Sequence, residues 1–330
     1  MATFREIGHC IWQAVGSVPT GKHVTVLGGV HGNELTGVHV VEWLKKRCPP
    51  LLSGTLTLIL GNPKAIELNQ RGSAPHADLN RCFTMSVLDS SSTDSSQPYE
   101  QARAREIAPF LQQSDLVLDL HATNKPSEPF LKMAGPLTPQ HYAVGRWFPC
   151  NVLLHDPLYI LAGGIALTDE YTGAHGGVGM IFESGIAGDT SRAELVFESV
   201  IRILANEMSM VAGPPVHAAP TPPNTVFEIT EVGLLQHQHI TTPCPRSFGF
   251  PRLGLSGPTV TAPPILNTCL LTTSSGRSAT QSSRCLTSRT LCFPKSRRCG
   301  KLGRMCTTLL RFLRLRVLVG PWGGWPSEFA

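Results

Sequence analysis

The sequence predicts an α/β domain built on a mostly parallel sheet flanked by helices, followed by a C-terminal stretch of different character. Three observations carry this. Short runs of β-branched and aliphatic residues recur between residues 23 and 183, segments of helical period separate them, and the charge balance breaks near residue 243.

The apolar runs are HVTVLGGV (23–30), TLTLILG (55–61), DLVLDLH (115–121) and GVGMIFE (177–183). They are nearly continuous rather than alternating, so they read as strands covered on both faces. Between them, ELTGVHVVEWLKKRC (34–48), PYEQARAREIAPFLQQ (98–113) and SRAELVFESVIRILANEMSMV (191–211) have helical period. Leu195, Val196, Val200, Ile203 and Leu204 are expected along one face of the last helix. Strands alternating with helices place a catalytic-type domain over residues 1–212. A Pro-rich linker follows at 213–225, and 226–243 opens like the first strands of a β-rich unit.

Residues 1–243 hold 15 Lys and Arg against 22 Asp and Glu, whereas residues 244–330 hold 13 against the single acid Glu328. The body is therefore mildly acidic and the last part strongly basic, within a chain of net charge +5. With no lasting period, residues 244–330 read as a basic disordered arm or, as the abrupt compositional break favours, an out-of-frame stretch. The C-terminal β-rich unit would then be truncated or degenerate. No run reaches membrane-spanning length and the N-terminus lacks a secretory pattern. Body cysteines at 10, 48, 82 and 150 show no paired spacing. A cytoplasmic protein without a nucleic-acid or membrane partner is expected.

The chemistry is concentrated at predicted strand ends. GGVHGNELTG (28–37) places His31 and Glu34 after a strand and at the mouth of a helix, where i, i+3 spacing puts both on one side of a turn. Zinc accepts imidazole nitrogen and carboxylate oxygen, and a catalytic site uses three protein ligands. His121, closing the third predicted strand, is the best third ligand, because ligands in open α/β sheets gather beyond the carboxyl ends of strands. Asp119, two residues earlier, is either a carboxylate orienting that ligand or an ordinary buried acid. Glu183 closes the fourth strand, where it can serve as general base toward water activated by the metal. Arg71, Asn80 and Arg81 form a second polar cluster around DLNRCF (78–83), suited to a substrate carboxylate or to a plain surface ion pair.

The strings GGVHGNELTG, GNPKA, DLNRCF, PYEQARA, DLHAT and VGMIFESG, in that order over residues 23–210, resemble the aspartoacylase and succinylglutamate desuccinylase family. That resemblance implies a carboxypeptidase A-like fold and a zinc hydrolase cleaving the amide of an N-acyl amino acid. It implies His31, Glu34 and His121 as ligands of one zinc ion and Glu183 as base. Arg71, Asn80 and Arg81 fall at the substrate-carboxylate and carbonyl-polarising positions, with Arg81 expected to hold the developing oxyanion. DLHATNKPSEPF and EYTGAHGGVGMIFE lack the Thr-Thr-x-x-Met-Gly stretch and the substrate-binding Arg of aspartoacylases proper, which points away from N-acetylaspartate. Two alternatives share the same residues: a metallocarboxypeptidase acting on peptides, and a catalytically inactive metal-binding module.

Overall fold

The computed structural model describes residues 1–90, 97–213, 223, 225–240, 287–299 and 305–319. Two compact units are present, residues 1–228 with 318–330 and residues 229–317.

The first unit is organised by a mixed, mostly parallel sheet. At its centre lie β3 (Val18–Gly28), β4 (Ser53–Leu60), β5 (Leu116–Thr123) and β8 (Val178–Ile186), in the order β4-β3-β5-β8 and all parallel. These are the four strands expected from the apolar runs. One edge is extended by the antiparallel strands β1 (Arg5–Gly8) and β2 (Ile11–Val15), with β2 paired to β4. On the other side β6 (Phe130–Ala134) pairs antiparallel with β8, and β7 (Val152–Asp156) pairs parallel with β6. The first residues of β9 (Thr225–Ile240) pair parallel with β7 through Thr225–Glu228.

Helices cover both faces, which is why the central strands bury apolar residues on both sides. Leu116, Leu118 and Leu120 of β5 share a buried cluster with Val40, Val41 and Leu44 of α1 (Leu35–Arg47) and with Val196, Val200 and Leu204 of α7 (Ala193–Asn206). Val117 belongs to a second cluster with Ala104, Ile107 and Leu111 of α4 (Tyr99–Gln112) and Tyr171 of α6 (Thr168–Ala174). The shorter helices are α2 (Pro63–Leu68), α3 (Met85–Leu88) and α5 (Pro139–Gly145).

Two expectations are corrected. Leu195 is 49% exposed, one position off the Val196–Val200–Ile203 face. The last helix stops at Asn206 rather than 211: Ser209 takes a left-handed φ of 54°, and Leu52 N–H bonds to Met210 O, drawing the chain toward the start of β4. Residues 214–222 of the expected linker lie outside the described residues. In the stretch 244–330, β10 (Thr287–Cys299) and β11 (Met305–Val319) form an antiparallel pair, and the remainder lies outside the described residues. Among the described residues no helix is long and apolar enough to cross a membrane.

Close backbone contact sets where α1 begins. A Cβ at Gly37 would run into Leu120 O and Gly28 Cα, and one at Gly28 into the Gly37 carbonyl. The pair lets α1 lie directly on β3 and β5. Gly37→Ala is expected to cost about 1–3 kcal/mol by overpacking, read as a lower melting temperature; an unchanged melt would show that the helix moves without cost.

Candidate metal centre and active site

The parallel strands β3, β5 and β8 end side by side, and each end delivers one part of the site. Beyond β3 the chain turns through His31 to Glu34, whose N–H bonds to His31 O at 3.2 Å, so both side chains face the same way. His121 lies on β5 in register with Glu183 on β8. His31, Glu34 and His121 are 3%, 1% and 2% exposed.

Their ligand atoms converge. His31 Nδ1 is 2.8 Å from Glu34 Oε1, His121 Nδ1 is 3.0 Å from Glu34 Oε2, and the two Nδ1 atoms are 3.2 Å apart. Two imidazole nitrogens aimed at each other over a carboxylate form the face of a coordination polyhedron. Tetrahedral zinc, with bonds of about 2.0–2.2 Å, has ligand–ligand edges slightly longer than these. The three groups are therefore spaced so that they could hold one such ion.

Each histidine has a carboxylate behind it. His31 Nε2 lies 3.1 Å from Asp78 Oδ1, a carboxylate that accepts from the imidazole and fixes its ring orientation. His121 Nε2 lies 2.8 Å from Asp119 Oδ2, an ion-pair contact rather than an aligned hydrogen bond. Asp78 was not singled out in the sequence, although it opens the DLNRCF string; only the fold brings it 3.1 Å from His31.

Electrostatics follow from this packing. Burial opposes the charge of His121, yet Asp119 and Glu34 outweigh it and hold the imidazolium well above its ordinary range. Burial likewise pushes Glu34 up, but His121 and His31 pull it below the usual carboxylate range. Asp78 is lowered despite burial, by His31, Arg71 and Arg81. Glu183 goes the other way. Burial dominates and, with Glu34 and Asp119 adding to it against the two histidines, lifts it to about 7. Its Oε2 has no hydrogen-bond partner among the described residues.

A cavity of about 270 Å³ opens over these groups, lined also by Arg71, Asn80 and Arg81. Arg71 reaches the triad itself, with one guanidinium nitrogen 3.3 Å from His31 Nδ1 and 3.5 Å from Glu34 Oε1, and the other 3.0 Å from Asp78 Oδ2. Asn80 is buried, and its Oδ1 accepts the Thr168 N–H at 3.0 Å, which leaves its amide nitrogen as the free end. Arg81 is exposed and donates to Asn80 O at 2.5 Å. The remaining wall is apolar: Ala122, Phe130, Leu154, Leu161, Leu167 and Ile181.

The other sequence strings support this arrangement from behind. Asn62 of GNPKA caps α2 through Ala65 N–H and donates to Glu100 of PYEQARA at 3.1 Å. Glu100 also accepts Ser73 N–H at 2.7 Å, anchoring the loop that carries Arg71. Arg103, 2% exposed, binds the Leu60 and Gly61 carbonyls at the end of β4.

Residues 20–147 match the succinylglutamate desuccinylase/aspartoacylase catalytic domain. The likeness to that family is carried by those residues. An N-acyl-aromatic-L-amino acid amidohydrolase (carboxylate-forming) from Danio rerio is 34% identical over 171 residues, 47% of this chain and 49% of that protein. The Homo sapiens protein of that name is 42% identical over 112 residues, 31% of this chain and 34% of that one. The chain thus spans about half or less of the length of these curated relatives. Among solved structures, a succinylglutamate desuccinylase from Vibrio parahaemolyticus superposes with a TM-score of 0.57 at 12% identity, covering 92% of this chain and 86% of that one. A succinylglutamate desuccinylase/aspartoacylase from Rhodobacter sphaeroides gives 0.53 at 19% identity, covering 67% and 66%. These two likenesses establish the fold.

The raised Glu183 carboxyl has a consequence for the metal-free protein. Its folded value of about 7 lies above the ordinary 4.5, so the folded state holds a proton that the unfolded chain releases between those pH values. Its contribution is complete below 4.5 and is lost as pH rises through 7. In metal-free protein, Glu183→Gln should raise the melting temperature at pH 8 and change it far less at pH 5; equal shifts at both would exclude a raised carboxyl.

Proposed function

We propose that the chain is a zinc-dependent hydrolase of N-acyl amino acids, with Glu183 as general base. The observation that carries this is the open Glu183 Oε2, buried beside three converging ligand atoms beneath a cavity with cationic and apolar walls. Bound zinc supplies a Lewis acid that polarises the scissile carbonyl and acidifies water. Glu183 Oε2 accepts a proton from the attacking water and returns it to the amide nitrogen as the amine leaves, so one water is consumed and a carboxylate and an amine are formed.

Substrate placement follows from the arginines. Arg71, within 3.5 Å of Glu34, is positioned to share the charge growing on the carbonyl oxygen, the task the sequence reading gave to Arg81. Arg81, exposed beside Asn80 O, presents its free donors to the substrate carboxylate. Asn80 offers its amide hydrogens between them. The apolar wall favours an uncharged or aromatic side chain over that of aspartate, in keeping with the names of the vertebrate relatives. A cavity of about 270 Å³ suits a small acyl amino acid better than an extended peptide.

The test is metal analysis beside hydrolysis of a panel of N-acetyl amino acids. Wild type should carry one zinc per chain and prefer N-acetyl-phenylalanine or N-acetyl-leucine to N-acetylaspartate. Glu183→Gln should keep the metal and lose about 10²–10⁴-fold in kcat, whereas His121→Ala should lose metal and activity together. Full turnover in Glu183→Gln would remove that residue from the reaction. Zinc without hydrolysis of any panel member would favour an inactive metal-binding module, and cleavage of peptides alone a carboxypeptidase.

A further inference from the structure

A second cluster of charges lies behind the cavity wall, outside the groups used above. Lys132 on β6 donates to Asp169 Oδ1 and Oδ2 at 3.0 and 2.8 Å and to Glu170 Oε1 at 2.9 Å. All three residues are at most 3% exposed. Every ammonium hydrogen has a carboxylate partner, so Lys132 lines the cavity with its stem and has no donor left for a ligand. Burial opposes its charge, and the two acids overcome that opposition. Such a cluster is a weak source of stability, since apolar residues of equal volume commonly do as well.

What the cluster controls is the first turn of α6. Glu170 Oε2 accepts the N–H groups of Ala166 and Leu167 at 3.0 and 3.1 Å. That turn presents Thr168, whose Oγ1 donates to Asp119 Oδ2 at 2.6 Å and whose N–H donates to Asn80 Oδ1 at 3.0 Å. Phe83 N–H bonds to Ala166 O at 3.2 Å, tying the DLNRCF segment to the same turn. One short segment therefore holds both the carboxylate behind His121 and the amide facing the cavity. Its approach to β8 is close enough that a Cβ at Gly179 would clash with the Asp169 backbone.

We propose that the Lys132–Asp169–Glu170 cluster is a positioning device for the active site, which sets Thr168 and through it the orientation of Asp119 behind His121 and of Asn80. The device rests on the proposed metal site and predicts coupling between groups that do not touch the ion.

Co²⁺ titration followed by its visible spectrum, with kcat and KM beside it, tests this in the full 330-residue chain. The neutral variant Lys132→Met/Asp169→Asn/Glu170→Gln removes the charges without leaving one unpaired. It should melt cooperatively yet bind Co²⁺ about 10–100-fold more weakly, with an altered spectrum. Thr168→Val should show a similar loss, and the combined variant no more than the larger of the two. If the neutral variant does not fold, Gly179→Ala, which displaces the same turn, should weaken Co²⁺ binding in wild type and not in Thr168→Val. Unchanged Co²⁺ affinity in the folded variant, or losses that multiply, would overturn the positioning role while leaving the hydrolase reading intact. A wild-type chain that binds no divalent ion would overturn the hydrolase reading and this inference with it.

Discussion

The carboxylate of Glu34 is the group around which the first unit is assembled. A carboxylate 1% exposed carries a large desolvation penalty unless its oxygens are bound, and here both are. Oε1 meets His31 from the turn after β3, and Oε2 takes the Ala122 N–H and His121 Nδ1 from β5. The charge thus joins two neighbouring strand ends. Strand order, the placement of α1 and the glycine contact between Gly28 and Gly37 all serve to bring those ends within reach of one side chain.

Around this centre the structure divides the work between charged and apolar surroundings. His121 and Glu34 stabilise one another's charged forms, whereas Glu183, in register with His121 but without a partner for Oε2 among the described residues, is lifted to about 7. A carboxyl near neutrality can both take and give a proton at working pH, which is what an acid–base group needs. Two carboxylates at one edge of the sheet acquire opposite tendencies because hydrogen bonds and ion pairs outweigh burial at Glu34, whereas burial dominates at Glu183.

Support for the site reaches well into the fold. Asp78, Asn62, Glu100 and Arg103 tie the loop bearing Arg71 to β4 and α4, and the charges around Lys132 tie the start of α6 to Asp119 and Asn80. Apart from the half-buried Asp78, these residues are polar and buried, in places where apolar packing would serve stability as well. Their common property is directionality: a hydrogen bond fixes the angle of the group it holds, and dispersion contacts do not.

The sequence by itself determined the four central strands, α1, α4 and most of α7, because continuous apolar runs and helical period follow directly from burial on two faces. It also determined which residues meet at the triad, since His31 and Glu34 share one turn and His121 and Glu183 close strands that an α/β order brings to one edge. The outer strands β1, β2, β6 and β7 are only four or five residues long, too short to show a period. Leu195 falls outside the buried face because a single position on a helix turns a side chain by about 100°. Only the tertiary structure decided that Asp78 stands behind His31, that Arg71 rather than Arg81 reaches the triad, and that Lys132 meets Asp169 and Glu170. Each of those pairings joins segments brought together by the sheet, and long-range contact leaves no periodic trace in the chain.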